Sequence, residues 1–78
     1  MAGKLRQVVN EAMNIVLNGS TKTVDGVETV ADLIRSLGYE GKRIAVECNG
    51  DIVPKSQHAT AKLAENDQVE IVVAVGGG

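Results

Sequence analysis

The clearest periodicity in the chain begins at Met13. Met13, Ile15 and Leu17 alternate with Asn14, Val16 and Asn18, the two-residue repeat of a strand with one buried face, and Asn18-Gly19 then supplies the residues a tight hairpin turn demands. The β-branched stretch from Ser20 to Val24 reads as the returning strand, and Asp25-Gly26 as the turn that ends it. From Thr29 the period changes. Val30, Leu33, Ile34 and Leu37 fall at helical spacing, Thr29 and Asp32 form a capping-box pair at the start, and Gly38 stands where a helix end favours positive φ. Ile44, Val46 and Cys48 then alternate with Ala45 and Glu47, and Asn49-Gly50 turns the chain into a short strand at Ile52-Val53, closed by Pro54. Ser56 to Leu63 has a mixed pattern that fits a short helical turn. Glu65-Asn66-Asp67 delivers the chain into the stretch from Val69 to Val75, its most apolar run. Such a run is buried on both faces, or buried on one and open to a partner on the other.

Ahead of this pattern, Leu5, Val8, Val9 and Ala12 make a faint helical stripe, and a helix that short needs docking to persist in water. Residues 1–12 are therefore an N-terminal extension, flexible or briefly helical, residues 13–75 the folded domain, and residues 76–78 a flexible tail. The element order of strand, strand, helix, strand, short strand, strand predicts an α+β domain, a mixed sheet of four to five strands with one main helix packed across it. If the last strand lies centrally, beside the first, its apolar character is explained and the tail projects from the sheet.

Composition narrows the function. Seventy-eight residues make one domain with a small core. The hydrophobic share of 44% is almost wholly aliphatic, with Tyr39 the sole aromatic, and the formal charge is −2. With neither stacking surface nor basic field, nucleic-acid binding is not expected. No signal-peptide pattern or membrane-length apolar run is present, and the lone Cys48 cannot form an internal disulfide, so a cytoplasmic, membrane-independent chain is expected. One His and one Cys give no zinc spacing, and neither a phosphate-binding loop nor a nucleophile motif occurs. The expectation is a protein that is not itself an enzyme and binds no cofactor or metal.

What chemistry remains lies in Gly76-Gly77-Gly78. Glycine, lacking a β-carbon, can thread a channel too narrow for other residues, and three extended residues span about 10 Å. A terminal carboxylate is ionised at neutral pH and a poor electrophile. Adenylation by a partner would convert it to a mixed anhydride, and attack by a sulfur donor would leave a thiocarboxylate, a good sulfur nucleophile. On this reading Gly78 carries the reactive carboxylate, Gly77 accompanies it and Gly76 is a spacer; the plainer alternative is an end without a role. Val72 and Ala74 point opposite to Val69, Ile71 and Val73, and read as buried sheet residues or as an apolar docking patch beside the tail, the first being the plainer. Cys48 fits the core row of Ile44 and Val46 better than a relay thiol. His58 reads as a loop residue, and Lys42, Arg43, Lys55 and Lys62 as solvated charges able to meet an acidic partner.

Four stretches carry a family likeness: Met13-Asn14-Ile15-Val16-Leu17-Asn18-Gly19, the helix from Thr29 to Ile34, the segment from Ala45 to Gln57, and the ending from Leu63 to Gly78. Through them residues 13–78 resemble the ThiS family, the ubiquitin-like β-grasp sulfur carriers of thiamine biosynthesis. The resemblance implies that a ThiF-type enzyme uses ATP to adenylate the Gly78 carboxylate. A sulfur donor such as a cysteine desulfurase then provides the thiocarboxylate sulfur, and thiazole synthase (ThiG) takes it up. His58 stands where that family often shows tryptophan, Asn66 replaces a frequent glycine, and residues 1–12 lie outside the likeness. Within the same fold, the small subunit of molybdopterin synthase (MoaD-like) and a ubiquitin-like modifier or interaction domain remain alternatives.

Overall fold

Both Asn-Gly dipeptides close two-residue hairpins in the computed structural model, which describes residues 12–74. Strands β1 (Met13–Leu17) and β2 (Ser20–Val24) pair antiparallel with Leu17 opposite Ser20, and β3 (Ile44–Cys48) and β4 (Asp51–Ile52) with Cys48 opposite Asp51. Positive φ at Asn18 and Gly19 (49° and 85°) and at Asn49 and Gly50 (53° and 89°) gives each turn the mirror-image twist that matches strand twist. The fourth strand is Asp51–Ile52, one residue earlier than the pattern suggests, because Val53 instead packs against the core.

Helix α1 (Val30–Ser36) follows β2, with the expected capping box: the Thr29 hydroxyl accepts from the Asp32 amide, and the Asp32 carboxylate from the Thr29 amide. At the other end the Gly38 amide donates to Arg35 O and the Tyr39 amide to Ile34 O, with Gly38 at φ 78°. These bonds satisfy the last helical carbonyls. The first helical amides, Val30 and Ala31, donate to the Ala61 and His58 carbonyls, so the stretch after a 3₁₀ turn at Lys55–Gln57 caps the helix from outside.

Strand β5 (Gln68–Val73) completes the sheet, whose order is β2-β1-β5-β3-β4. The last strand therefore lies at the centre, parallel to β1 and antiparallel to β3, as its apolar character implied. Alpha1 covers one face: Val30, Leu33 and Ile34 bury against Ile15, Val46, Val69 and Ile71. Each such side chain contributes about 1.5–3 kcal/mol of transfer free energy when fully buried, so this one interface is the source of most of the apolar stabilisation. With a parallel β1–β5 centre, two flanking hairpins and one crossing helix, the chain has the ubiquitin-like β-grasp fold.

Candidate functional site

Strand β5 is held on both sides as far as Ile71, and on the β3 side alone through Ala74. On one side it pairs with β3 from Cys48 opposite Val69 to Ile44 opposite Val73, and the Ala74 amide then donates to Arg43 O at 2.9 Å. On the other side β1 registers with it at only two residue pairs, Val16 with Gln68 and Leu17 with Val69. Asn18 extends that contact. Its Oδ1 accepts from the Ile71 amide at 2.9 Å and its Nδ2 donates to Ile71 O at 3.2 Å, so one side-chain amide does the work of another strand residue. The tail glycines Gly76, Gly77 and Gly78 lie outside the described residues, as does the extension up to residue 11. What is fixed is the exit: a central strand, hydrogen-bonded through Ala74.

Val72 and Ala74 are exposed, which overturns the plainer reading of them as buried sheet residues. Alternation in β5 sends Val69 and Ile71 to the helix side and Gln68, Glu70 and Val72 to the other face, where Val72 is 64% exposed. Its register partner Ala45 is exposed too, whereas Ile52, 70% exposed on the edge strand, lies further from the exit, opposite Glu47. The open face is thus apolar near the exit. Further along it is acidic, because Glu47 and Glu70 stand opposite each other in register.

Cys48 keeps its place in the row of Ile44 and Val46, half-buried against the core. Burial first, and then the negative charge and hydrogen bonding of Asp67 and the charge of Asp51, push its thiol pKa up. A thiol shifted that way stays protonated and is a poor nucleophile at neutral pH. His58 is more than a loop residue. It is half-buried, its Nε2 lies 3.1 Å from the Val53 carbonyl and so must donate, and its own carbonyl receives the Ala31 amide. It braces the 3₁₀ turn between the edge strand and the helix. Among the described residues no group of three or more His, Cys, Asp or Glu side chains is arranged to hold a metal ion.

On the helix side, a cavity of about 250 Å³ opens between α1, the loop after it and the start of β3. Ala31, Ile34, Tyr39 and Ile44 give it apolar walls, and Arg35, Lys42, Arg43 and Lys55 give it positive charge. Three of these cations were legible only as scattered solvated charges; Lys62, grouped with them by sequence, does not line it. No periodic signal links positions 35, 42, 43 and 55, since three separate segments bring them together.

The family model of the ThiS family matches residues 15–78. The chain belongs to the ThiS family. Among relatives, it is 38% identical over 63 residues to the sulfur carrier protein ThiS of Bacillus subtilis, covering 80% of this chain and 96% of that one. It is 39% identical over 66 residues to a thiazole synthase of Paramagnetospirillum magneticum, a match that takes in 85% of this chain. The chain spans only 20% of the length of that synthase, and the same share of a second one, from Magnetococcus marinus. The crystal structure of the thiamine biosynthesis protein ThiS from Geobacter metallireducens superimposes with a TM-score of 0.70 at 32% identity, over 85% of this chain and all of that one. ThiS likeness therefore covers sequence and fold together, and in sequence it reaches through Gly78.

Proposed function

We propose that this chain is a protein-borne sulfur carrier of thiamine biosynthesis, with the Gly78 carboxylate as its reactive group. The observation that carries the reading is a ThiS-family match over residues 15–78, from within β1 to Gly78. In the proposed cycle a ThiF-type enzyme binds the carrier and ATP, and a carboxylate oxygen of Gly78 attacks the α-phosphorus, releasing pyrophosphate. Hydrosulfide then adds to the acyl carbon and AMP leaves, so a carbon–sulfur bond replaces a carbon–oxygen bond; if the donor is a persulfide, the product is an acyl disulfide, and a thiol reductant cleaves its S–S bond to free the thiocarboxylate. The resulting thiocarboxylate is the sulfur source for thiazole synthase. The chain itself supplies an attachment point and a docking body, and the catalytic groups belong to its partners.

Two features support this division of labour. Strand β5 leaves the sheet firmly anchored, so the position from which the tail starts is defined while glycine gives it freedom to enter a narrow site. A stretch matching this chain also forms about a fifth of two proteins named thiazole synthase, which supports a pairing of carrier and synthase. Within one polypeptide such a pairing would raise the effective concentration of one for the other.

The test is intact-mass spectrometry after incubation with a ThiF-type enzyme, ATP and a sulfur donor. A gain equal to the exchange of one oxygen for one sulfur, localised to the C-terminal peptide, is the expected result. An unchanged mass, or adducts to lysine instead, would sink the proposal.

A further inference from the structure

The exit of β5 has two unlike flanks. On the open sheet face stand Val72 and Ala45, with the Glu47–Glu70 pair beyond them. On the helix side is the cavity, whose lining includes Arg43, the residue whose carbonyl holds the Ala74 amide. Of the six Lys and Arg residues among those described, four line this one cavity, against a single acid, Glu40. Arg35 is 3.3 Å from Asp32, whereas among the described residues Lys42, Arg43 and Lys55 make no salt bridge. An excess of cations is unusual in a chain of net charge −2, and it sits at the root of the tail.

We infer that this cavity is a docking socket for an acidic segment of the enzyme that adenylates the tail, a segment bearing one apolar side chain that enters between Ile34 and Ile44. The inference rests on the sulfur-carrier reading. Four residues follow Ala74, and they reach at most about 14 Å, so an enzyme that encloses Gly78 must press against the body around the exit. Whatever meets the helix-side flank faces positive charge over apolar walls, and what meets the sheet face encounters valine, alanine and glutamate. Opposite charge on the two flanks fixes how the carrier is turned about the strand axis as its tail goes in. Like-charge contacts in the reversed orientation would be repulsive. Selection matters most at adenylation, because every later step acts on a tail already marked.

The experiment compares two charge-reversed pairs that alter net charge equally. Lys42→Glu with Arg43→Glu changes the socket; Lys22→Glu with Lys62→Glu changes residues that do not line it. Steady-state adenylation by a ThiF-type enzyme is measured for each at low and high salt. The socket pair should raise KM for the carrier about tenfold at low ionic strength with kcat unchanged, and the gap should narrow near about 0.5 M salt as the charges are screened. The control pair should stay within about twofold of the parent. Equal effects of both pairs, or none from the socket pair, would overturn the inference. So would a titration in which inorganic phosphate shifts the amide resonances of Lys42 and Arg43 while the enzyme does not, the mark of a small-anion site. If melting shows the socket pair to be unfolded, Lys42→Ala with Lys55→Ala should raise KM about threefold, and an unchanged KM counts against the socket. A parent chain that is never adenylated overturns the function and the socket together; a parent adenylated normally, with the socket pair indistinguishable from it, overturns the socket alone.

Discussion

Replacing Asn18 with alanine should weaken the domain far more than an exposed turn residue ordinarily would. Two consequences combine. The backbone at Asn18 has φ 49°, a left-handed conformation in which alanine costs about 1 kcal/mol more than asparagine. The side chain also makes both hydrogen bonds to the Ile71 backbone, at 2.9 and 3.2 Å, and each is worth about 0.5–1.5 kcal/mol net. The sum is about 2–4 kcal/mol, set against a total of about 4–12 kcal/mol for a chain this long. Thermal unfolding by circular dichroism should show Tm lowered by at least about 8 °C, since each kcal/mol moves a small domain by about 4–8 °C. Asn18→Gly separates the two causes, because glycine accepts the turn and loses only the clamp, and it should cost about 1–3 kcal/mol. Hydrogen exchange at the Ile71 amide should quicken in both variants. If alanine and glycine at this position both melt with the parent, the clamp contributes nothing and the reasoning fails.

Thr29→Ala should cost about 1 kcal/mol by removing the helix cap, measured by urea titration. Asp32 faces the same cap, and the amides of Glu28 and Thr29, then the Thr29 hydroxyl and Arg35, hold its carboxyl below the ordinary range despite some opposing desolvation. A depressed folded-state pKa stabilises the fold above the ordinary carboxylate value and loses that contribution as pH falls through the folded one, so Asp32→Asn should flatten the acid limb of the stability–pH curve. Val72→Lys should leave Tm within the shift expected of about 0.5 kcal/mol, the side chain being exposed, yet raise KM for adenylation; an unchanged KM would remove Val72 from the docking face. Deleting Gly78, or adding residues after it, should abolish thiocarboxylate formation by intact mass with Tm unchanged, and sulfur loading of either variant would show that the carboxylate of Gly78 is not the reactive group.

The turns and the helix were readable because they restrict residue choice. Positive φ at Asn18-Gly19, Asn49-Gly50, Gly38 and Asn66 admits few residues, and those residues are present. The capping box is a local exchange between two residues three positions apart, visible for the same reason. Central placement of β5 followed from its apolar run. Val72 shares the outward row of Gln68 and Glu70, but its apolar side chain sits in an apolar run, so hydropathy hid its exposure. The long-range work of single side chains had no signal at all. Asn18 reaches a residue 53 positions away, and Lys42, Arg43 and Lys55 share a cavity only because the fold brings their segments together. His58 showed no partner in sequence, because the Val53 carbonyl it meets is a backbone group that every residue carries. The proposed reactivity of the tail rests on sequence and family match, since its glycines lie outside the described residues.

The strand at the middle of the sheet is the last to be made. While residues 12–67 emerge from the ribosome, the β1–β2 and β3–β4 hairpins have no strand to join them, and a lone hairpin is marginally stable in water. Only when Gln68 to Val73 arrive can both halves close on the helix, so interrupted translation or a cut ahead of β5 yields a chain that cannot complete its core. Every folded molecule has therefore been synthesised at least as far as Val73, within five residues of Gly78. A compact fold therefore reports that the exit strand is present, and a chain cut ahead of it should be readily digested in limited proteolysis.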